Sequence, residues 1–220
     1  CFRDDLKKIV LKVSSPFGNE EIKLNTHSEY LAVNALCSII SLALEGFELQ
    51  ELAYSSSAIK FSKGRMTPIE LDDNNICFID YAHTPEALEF ALKTLRSLGE
   101  ATLWCLFGCG GERDKSKRME MGKVSTNYSD KVVLTNDNPR NEEPSLIIED
   151  IMKGIESNND IKVELDRKKA IEYCLTEMMG SKKKNILLIA GKGHEEYQEI
   201  NGKKNEFSDF IQVNKFLDEV

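Results

Sequence analysis

Residues 76–98 read ICFIDYAHTPEALEFALKTLRSL, and this stretch decides the fold. Ile76 to Tyr81 is a short apolar run, the pattern of a strand covered on both faces. Thr84 then offers an N-cap and Pro85 a first helical residue, so Thr84 to Leu98 is expected to be a helix. The same alternation continues downstream. Ala101 to Phe107, Lys131 to Thr135, Ile161 to Leu165 and Asn185 to Ala190 read as strands. Asp114 to Tyr128, Pro144 to Ile155, Arg167 to Met179 and Ser208 to Leu217 read as helices, and Asn201-Gly202 marks a hairpin turn. Alternating strands and helices imply an α/β fold with a mostly parallel sheet. In such sheets ligands bind beyond the carboxyl ends of the strands.

Upstream the pattern differs. Ile9 to Val13 and Glu21 to Leu24 suggest a β pair around Pro16-Phe17-Gly18-Asn19. Glu29 to Leu44 carries Leu31, Val33, Leu36, Ile39, Ile40 and Leu42 at helical spacing, and a second helix is expected from Glu48 to Ile59. Lys63-Gly64-Arg65-Met66 breaks the pattern. The chain is therefore expected to hold two regions, 1–66 and 67–220. It begins at Cys1 rather than Met, within a strand-like pattern, which suggests a piece of a longer protein.

The 220 residues are 41% hydrophobic and 30% charged, enough for a sizeable core. A formal net charge of −8 argues against general nucleic-acid binding. The six cysteines form no C-x-x-C pair, which gives zinc little support and fits a reducing compartment. Cys37, Cys77, Cys105 and Cys174 lie in apolar stretches and are expected in the core. No apolar run approaches the roughly 18 residues of a membrane span, and no signal peptide is visible.

Most of the polar signatures follow strands. Asp80-Tyr81-Ala82-His83-Thr84-Pro85 places an acid for ribose hydroxyls beside two rings that can flank a purine; the same residues also suit a plain strand end and N-cap. Gly108-Cys109-Gly110-Gly111 precedes Glu112-Arg113-Asp114-Lys115, which is either an anion-binding turn or a tight turn before a basic helix face. In Asn136-Asp137-Asn138-Pro139-Arg140, Asp137 can pair with an ammonium and Arg140 can clamp a carboxylate, although Asn/Pro-rich turns are common. Gly191-Lys192-Gly193-His194-Glu195 adds a second acid. No three-ligand zinc set, Ser/His/Asp nucleophile or G-x-x-x-x-G-K-[ST] loop occurs.

Taken in order, Gly64-Arg65-Met66, Asp80 to Pro85, Gly108 to Asp114, Asp137 to Arg140 and Ala190 to Glu195 resemble the Mur ligases of peptidoglycan synthesis. The likeness covers most of residues 64–210 and is nearest to members that add a diamino acid to a UDP-MurNAc-dipeptide. It implies the end of a central P-loop ATPase domain over 1–66 and a Rossmann-like, amino-acid-binding domain over 67–220. It further implies that Arg113, Asp137, Asn138, Pro139, Arg140, Gly191 and Glu195 bind the amino acid, a diaminopimelate or lanthionine. Asn34, Arg65, Asp80 and His83 would contact ATP, with Mg2+ and most of the ATP held upstream, in a cytoplasmic monomer with no nucleic-acid or membrane partner. Four positions depart from the family pattern: Leu31 stands for an asparagine, Glu112 for Asp, and Met119-Glu120 for Pro-Leu. A sibling amide ligase, such as folylpolyglutamate synthase, and a binding module without chemistry are the competing readings.

Overall fold

The computed structural model describes residues 9–26, 28–156 and 160–219. The strand-like start at Cys1 lies outside them. Two compact units divide between Ser62 and Lys63, a few residues before the expected boundary.

In the first unit, β1 (Ile9–Ser15) and β2 (Gly18–Leu24) form an antiparallel hairpin. Helices α1 (Glu29–Leu44) and α2 (Leu49–Ser55) follow, and a 3-10 turn spans Ser56–Ala58. Ser28 caps α1 by accepting from Leu31 N. The core joins Ile22 and Leu24 to Ala32, Ala35, Ile39, Leu49 and Ala53. This corrects the expected face of α1. Val33 and Leu42 are exposed, Cys37 is exposed rather than in the core, and the small alanines point inward so that the helix can lie close to the hairpin.

The second unit is built on a six-stranded sheet. In chain order its strands are β3 (Thr67–Glu70), β4 (Asn75–Asp80), β5 (Thr102–Phe107), β6 (Lys131–Leu134), β7 (Ile161–Val163) and β8 (Asn185–Ala190). The spatial order is β3-β4-β8-β5-β6-β7. Only β3 runs antiparallel, at one edge, and it carries Pro68, a residue that edge strands tolerate. That strand was not foreseen.

Handedness fixes the layers. Right-handed crossovers from β4 outward to β7 put α3 (Pro85–Arg96), α4 (Ser116–Tyr128) and α5 (Pro144–Met152) on one face, where they pack in succession. The step back from β7 to β8 runs the other way. It puts α6 (Arg167–Met179) on the opposite face, packed with α7 (Asp209–Glu219). There Cys77, Ile79, Trp104, Leu106, Val133, Leu187 and Ile189 meet Ala170, Ile171, Cys174, Leu175, Met178, Phe210 and Val213. Alternate residues of the same strands face the other layer, so β4 and β8 are buried along their whole length. A second hairpin, β9 (Tyr197–Ile200) and β10 (Lys203–Glu206), follows β8.

Two ion-pair clusters tie loops to this frame. Arg167 and Asp209, the first residues of α6 and α7, are fully buried and joined at 2.8 and 2.9 Å. Arg167 also donates to the carbonyls of Ala190 and Asn136, at the ends of β8 and β6. Arg118 of α4, also buried, reaches both Glu142 oxygens at 2.7 and 2.8 Å and Asp150 at 3.0 Å. Arg118 and Lys115 hold the Glu142 carboxyl far below the usual range.

Removing one partner of a buried pair leaves the other uncompensated. Asp209→Ala is therefore expected to lower stability by about 3–5 kcal/mol in urea unfolding, and a loss no larger than that of a surface substitution refutes the role. Glu142 acts through pH. A folded pKa held down stabilises above the unfolded value, near ~4.3, and that contribution disappears as pH falls. Glu142→Gln should therefore flatten the fall in melting temperature between about pH 5 and about pH 3; an unchanged slope contradicts it.

Candidate functional site

The carboxyl ends of β4, β5, β6 and β8 lie along one edge of the sheet. Each is followed by one of the loops singled out in the sequence. A cleft of about 1390 Å3 opens at the other edge, lined by Arg96, Asp130, Lys131 and Glu177 among others. It contains none of the motif residues.

At the end of β4, the two Asp80 oxygens accept the N–H groups of Met66 and Ala82, both at 2.7 Å. Burial outweighs these bonds and pushes the carboxyl above its ordinary value. Asp80 thus pins the Gly64-Arg65-Met66 segment, and only its remaining lone pairs are left for a ligand. Arg65 is exposed and stacks on the Tyr81 ring at 4.8 Å. His83 and His194 also flank Tyr81, at 4.7 and 5.3 Å between centroids. His83 Nδ1 pairs with the Tyr81 carbonyl at 2.9 Å. The result is a cationic and aromatic surface. Asn34, expected to act beside these residues, is exposed on α1 in the other unit.

Backbone approaches here are very close. A Cβ on Gly64 would lie 2.3 Å from His194 N, and one on Gly193 would lie 2.7 Å from Tyr81 Cβ. Both glycines have positive φ, 77° and 52°. Larger side chains would force the two loops apart.

The loop after β6 carries the second cluster. Asp137 is partly exposed, and its carboxylate makes no hydrogen bond among the described residues. It lies directly against Gly191, where a Cβ would come within 2.6 Å of Oδ2. Loss of water raises its pKa; Arg167 and Lys192 oppose that rise, while Glu195 and Asp209 add to it. Asn138, expected to touch substrate, is instead buried and saturated. Its amide donates to Glu195 at 2.9 Å, and its side-chain oxygen accepts from Lys192 at 3.0 Å and Glu199 N at 2.9 Å. Its backbone carbonyl takes Gly111 N. Pro139 is buried, and its carbonyl accepts from Glu142 N. Both residues shape the loop rather than present free polar groups.

Arg140 has φ 54°, in the left-handed region. Its Nη1 donates to Gly111 O at 2.8 Å, and its Nε pairs with Glu199 at 3.3 Å. Nη2 has no partner among the described residues and is left to meet an anion. Arg113 is exposed and unpaired among the described residues, and Glu195 keeps one oxygen free. Asp137, Arg140, Gly191 and Glu195 are thus brought together around Asn138, with Arg113 on the adjoining loop. Lys192, Glu199, Arg167 and Asp209 were not foreseen as parts of the site. A lysine directly after a buried strand was the one signal available; the others carry no local motif.

An unpartnered carboxylate, a half-free carboxylate and a half-free guanidinium suit a zwitterionic ligand. The family described as Mur ligase, glutamate ligase domain, matches residues 64–193. A relative from Chromobacterium violaceum, UDP-N-acetylmuramoyl-L-alanyl-D-glutamate–2,6-diaminopimelate ligase, is 40% identical over 93% of this chain and 41% of its own length. The protein of that name from Rickettsia montanensis is 41% identical over 92% and 42%. The chain therefore spans about two fifths of the curated relatives it matches. A solved structure of a ligase of that name has TM-score 0.68 at 36% identity, over 96% of this chain and 42% of the other. Folylpolyglutamate synthase of Mycobacterium tuberculosis, solved with ADP and AMPPCP, reaches 0.68 at 20% identity over 84% and 44%, a likeness of fold alone. Because the family match runs from Gly64 to Gly193, through the loops that end β4, β5, β6 and β8, the chain belongs to the Mur ligase family.

Proposed function

We propose that this chain is the acceptor-binding part of a cytoplasmic, ATP-dependent ligase that joins 2,6-diaminopimelate, or a diamino diacid of similar shape, to UDP-MurNAc-L-Ala-D-Glu. The observation that carries the reading is the pairing of opposite charges around one loop. Asp137 and Glu195 offer carboxylate oxygens to an ammonium, and Arg140 offers Nη2 to a carboxylate. Lysine lacks the far-end carboxylate and would leave the guanidinium unpaired, so it is disfavoured. Arg113, exposed on the neighbouring loop, supplies a second cation for the acceptor's other carboxylate.

The reaction needs an activated acid and a held amine. The γ-phosphoryl of ATP passes to the dipeptide's terminal carboxylate, giving an acyl phosphate and ADP. The acceptor amine attacks the carbonyl carbon and loses a proton, and the tetrahedral intermediate expels phosphate. The residues of this chain hold and orient the amine. The surface of Arg65, Tyr81 and His83 suits the nucleotide, with Asp80 fixing the Arg65 segment in place. The sequence contains no G-x-x-x-x-G-K-[ST] loop, and among the described residues no three His, Cys, Asp or Glu side chains converge as a metal site. The part assigned to these residues is binding and positioning.

Titration calorimetry on the chain should show diaminopimelate binding at least about tenfold more tightly than lysine, a difference of about 1.4 kcal/mol. Arg140→Ala should abolish that preference; equal binding of the two amino acids by the unaltered chain sinks the reading. A second check is phosphate release from ATP in the presence of the UDP-dipeptide and diaminopimelate. The chain alone should stay at background, and turnover would show that phosphoryl chemistry resides in these residues after all.

A further inference from the structure

We propose that Lys192 is the positioning residue of the acceptor site: it fixes the Glu195 carboxylate beside Asp137, so that the two carboxylates together receive an ammonium group. The inference deepens the acceptor reading above and rests on it.

Lys192 is fully buried, an unusual place for a lysine. Its Nζ donates to Asn138 Oδ1 at 3.0 Å and lies 3.2 Å from Glu195 Oε2. Asn138 Nδ2 meets the same Glu195 oxygen at 2.9 Å. Two donors therefore lock one Glu195 oxygen and leave the other free. The ammonium also faces the Tyr197 ring at 5.6 Å. Its flanking Gly191 and Gly193 have positive φ, so the backbone turns sharply on either side and sends the side chain inward.

Charge explains why a lysine is placed there. Asp137 faces Glu195 and Asp209 as like charges, and Arg167 and Lys192 as opposite ones. Arg167 is already committed to Asp209 by two hydrogen bonds. Lys192, paired with Glu195, is thus the other cation that faces Asp137. Two carboxylates left beside each other without it would share a proton, as like charges in one site do. The other groups around them do not replace it. Tyr81 of the β4 loop and Tyr197 of β9 carry no positive charge, Arg65, His83 and His194 pack on the Tyr81 ring, and Lys204 of β10 stacks on the Tyr197 ring at 4.2 Å. With Lys192 present, three carboxylates meet two cations. The cluster is one positive charge short, which an incoming ammonium supplies.

The test is calorimetric affinity for diaminopimelate across about pH 6 to about pH 8, where the ligand's ammonium groups stay protonated. The whole 220-residue chain is used, unaltered and as Lys192→Met and Lys192→Arg. The unaltered chain should hold its affinity within about threefold over that range. In Lys192→Met the carboxylate pair takes up a proton as pH falls, so binding should weaken about tenfold more at the acid end than at the alkaline end. Lys192→Arg should restore the flat profile. A residue that only packs would lower affinity equally at every pH, so a flat Lys192→Met profile overturns the proposal. A readout independent of that variant's folding is proton uptake by the unaltered chain, from binding heats in two buffers of different ionisation enthalpy. None is expected, and release of one proton on binding overturns the proposal. An unaltered chain that does not prefer diaminopimelate to lysine removes the acceptor reading itself. A preference kept alongside a flat Lys192→Met profile removes only the role of Lys192.

Discussion

Arg167 and Asp209 hold each other inside the fold with no exposed surface, and the site is organised around that contact. Each sits at the first residue of its helix, so the pair locks the starts of α6 and α7 together. The guanidinium has donors left over, and they go to the carbonyls of Ala190 and Asn136. These are the last residue of β8 and the second residue after β6, the two points from which the acceptor loops leave the sheet. One buried ion pair therefore fixes the departure of both loops. A buried pair need not add stability over an apolar replacement, but it specifies geometry when its spare hydrogen bonds are used in this way. It also supplies a cation beneath Asp137 and so bears on the charge of the site above it.

Above that contact, the loops meet backbone to backbone. Gly64 and Gly193 approach so closely that neither tolerates a Cβ, and Asp80 ties down the segment that contains Gly64 through Met66 N. The Arg65 segment and the loop at Gly191 to Glu195 are thus in direct mechanical contact. Displacing one displaces the other, because a close-packed contact between main chains has no side-chain rotamer to absorb a shift. A ligase that must bring a nucleotide-activated acid to an amine has reason to couple those two surfaces.

The layers of the fold were legible because periodicity reports burial. Ile76 to Tyr81 and Asn185 to Ala190 are short and apolar, the pattern of central strands, and the strands found there, β4 and β8, are buried throughout. The loops were legible because glycine, proline and paired charges cluster just after those strands. What escaped has a common cause. Hydropathy assigns charge to the surface, so Arg118, Arg167, Lys192 and Asp209 read as solvated when each is fully buried beside an opposite charge. Asn138 is a ligand contact by family resemblance alone, and its side chain bonds Lys192, Glu195 and Glu199, partners that no local sequence pattern reveals. The helix α1 misled in the opposite sense. Val33 and Leu42 face solvent while Ile39 and Leu36 reach the core, and alanines fill the rest of the buried face because they suffice where a helix lies close to a hairpin.

Arg140 carries the last step. A non-glycine residue at φ 54° is disfavoured by roughly 1–3 kcal/mol and persists only where its surroundings over-determine it. Here they do. Its N–H donates to Glu199 O, its carbonyl accepts from Asn201 N, and its side chain is held by Gly111 O and the Glu199 carboxylate. The β9–β10 hairpin thus acts as a splint for one arginine. A glycine would relieve the strain but remove the guanidinium. Arginine in a relaxed conformation would aim it elsewhere. The strain therefore marks the direction of the side chain as the quantity the fold preserves, and that direction leaves Nη2 free of the protein's own acceptors.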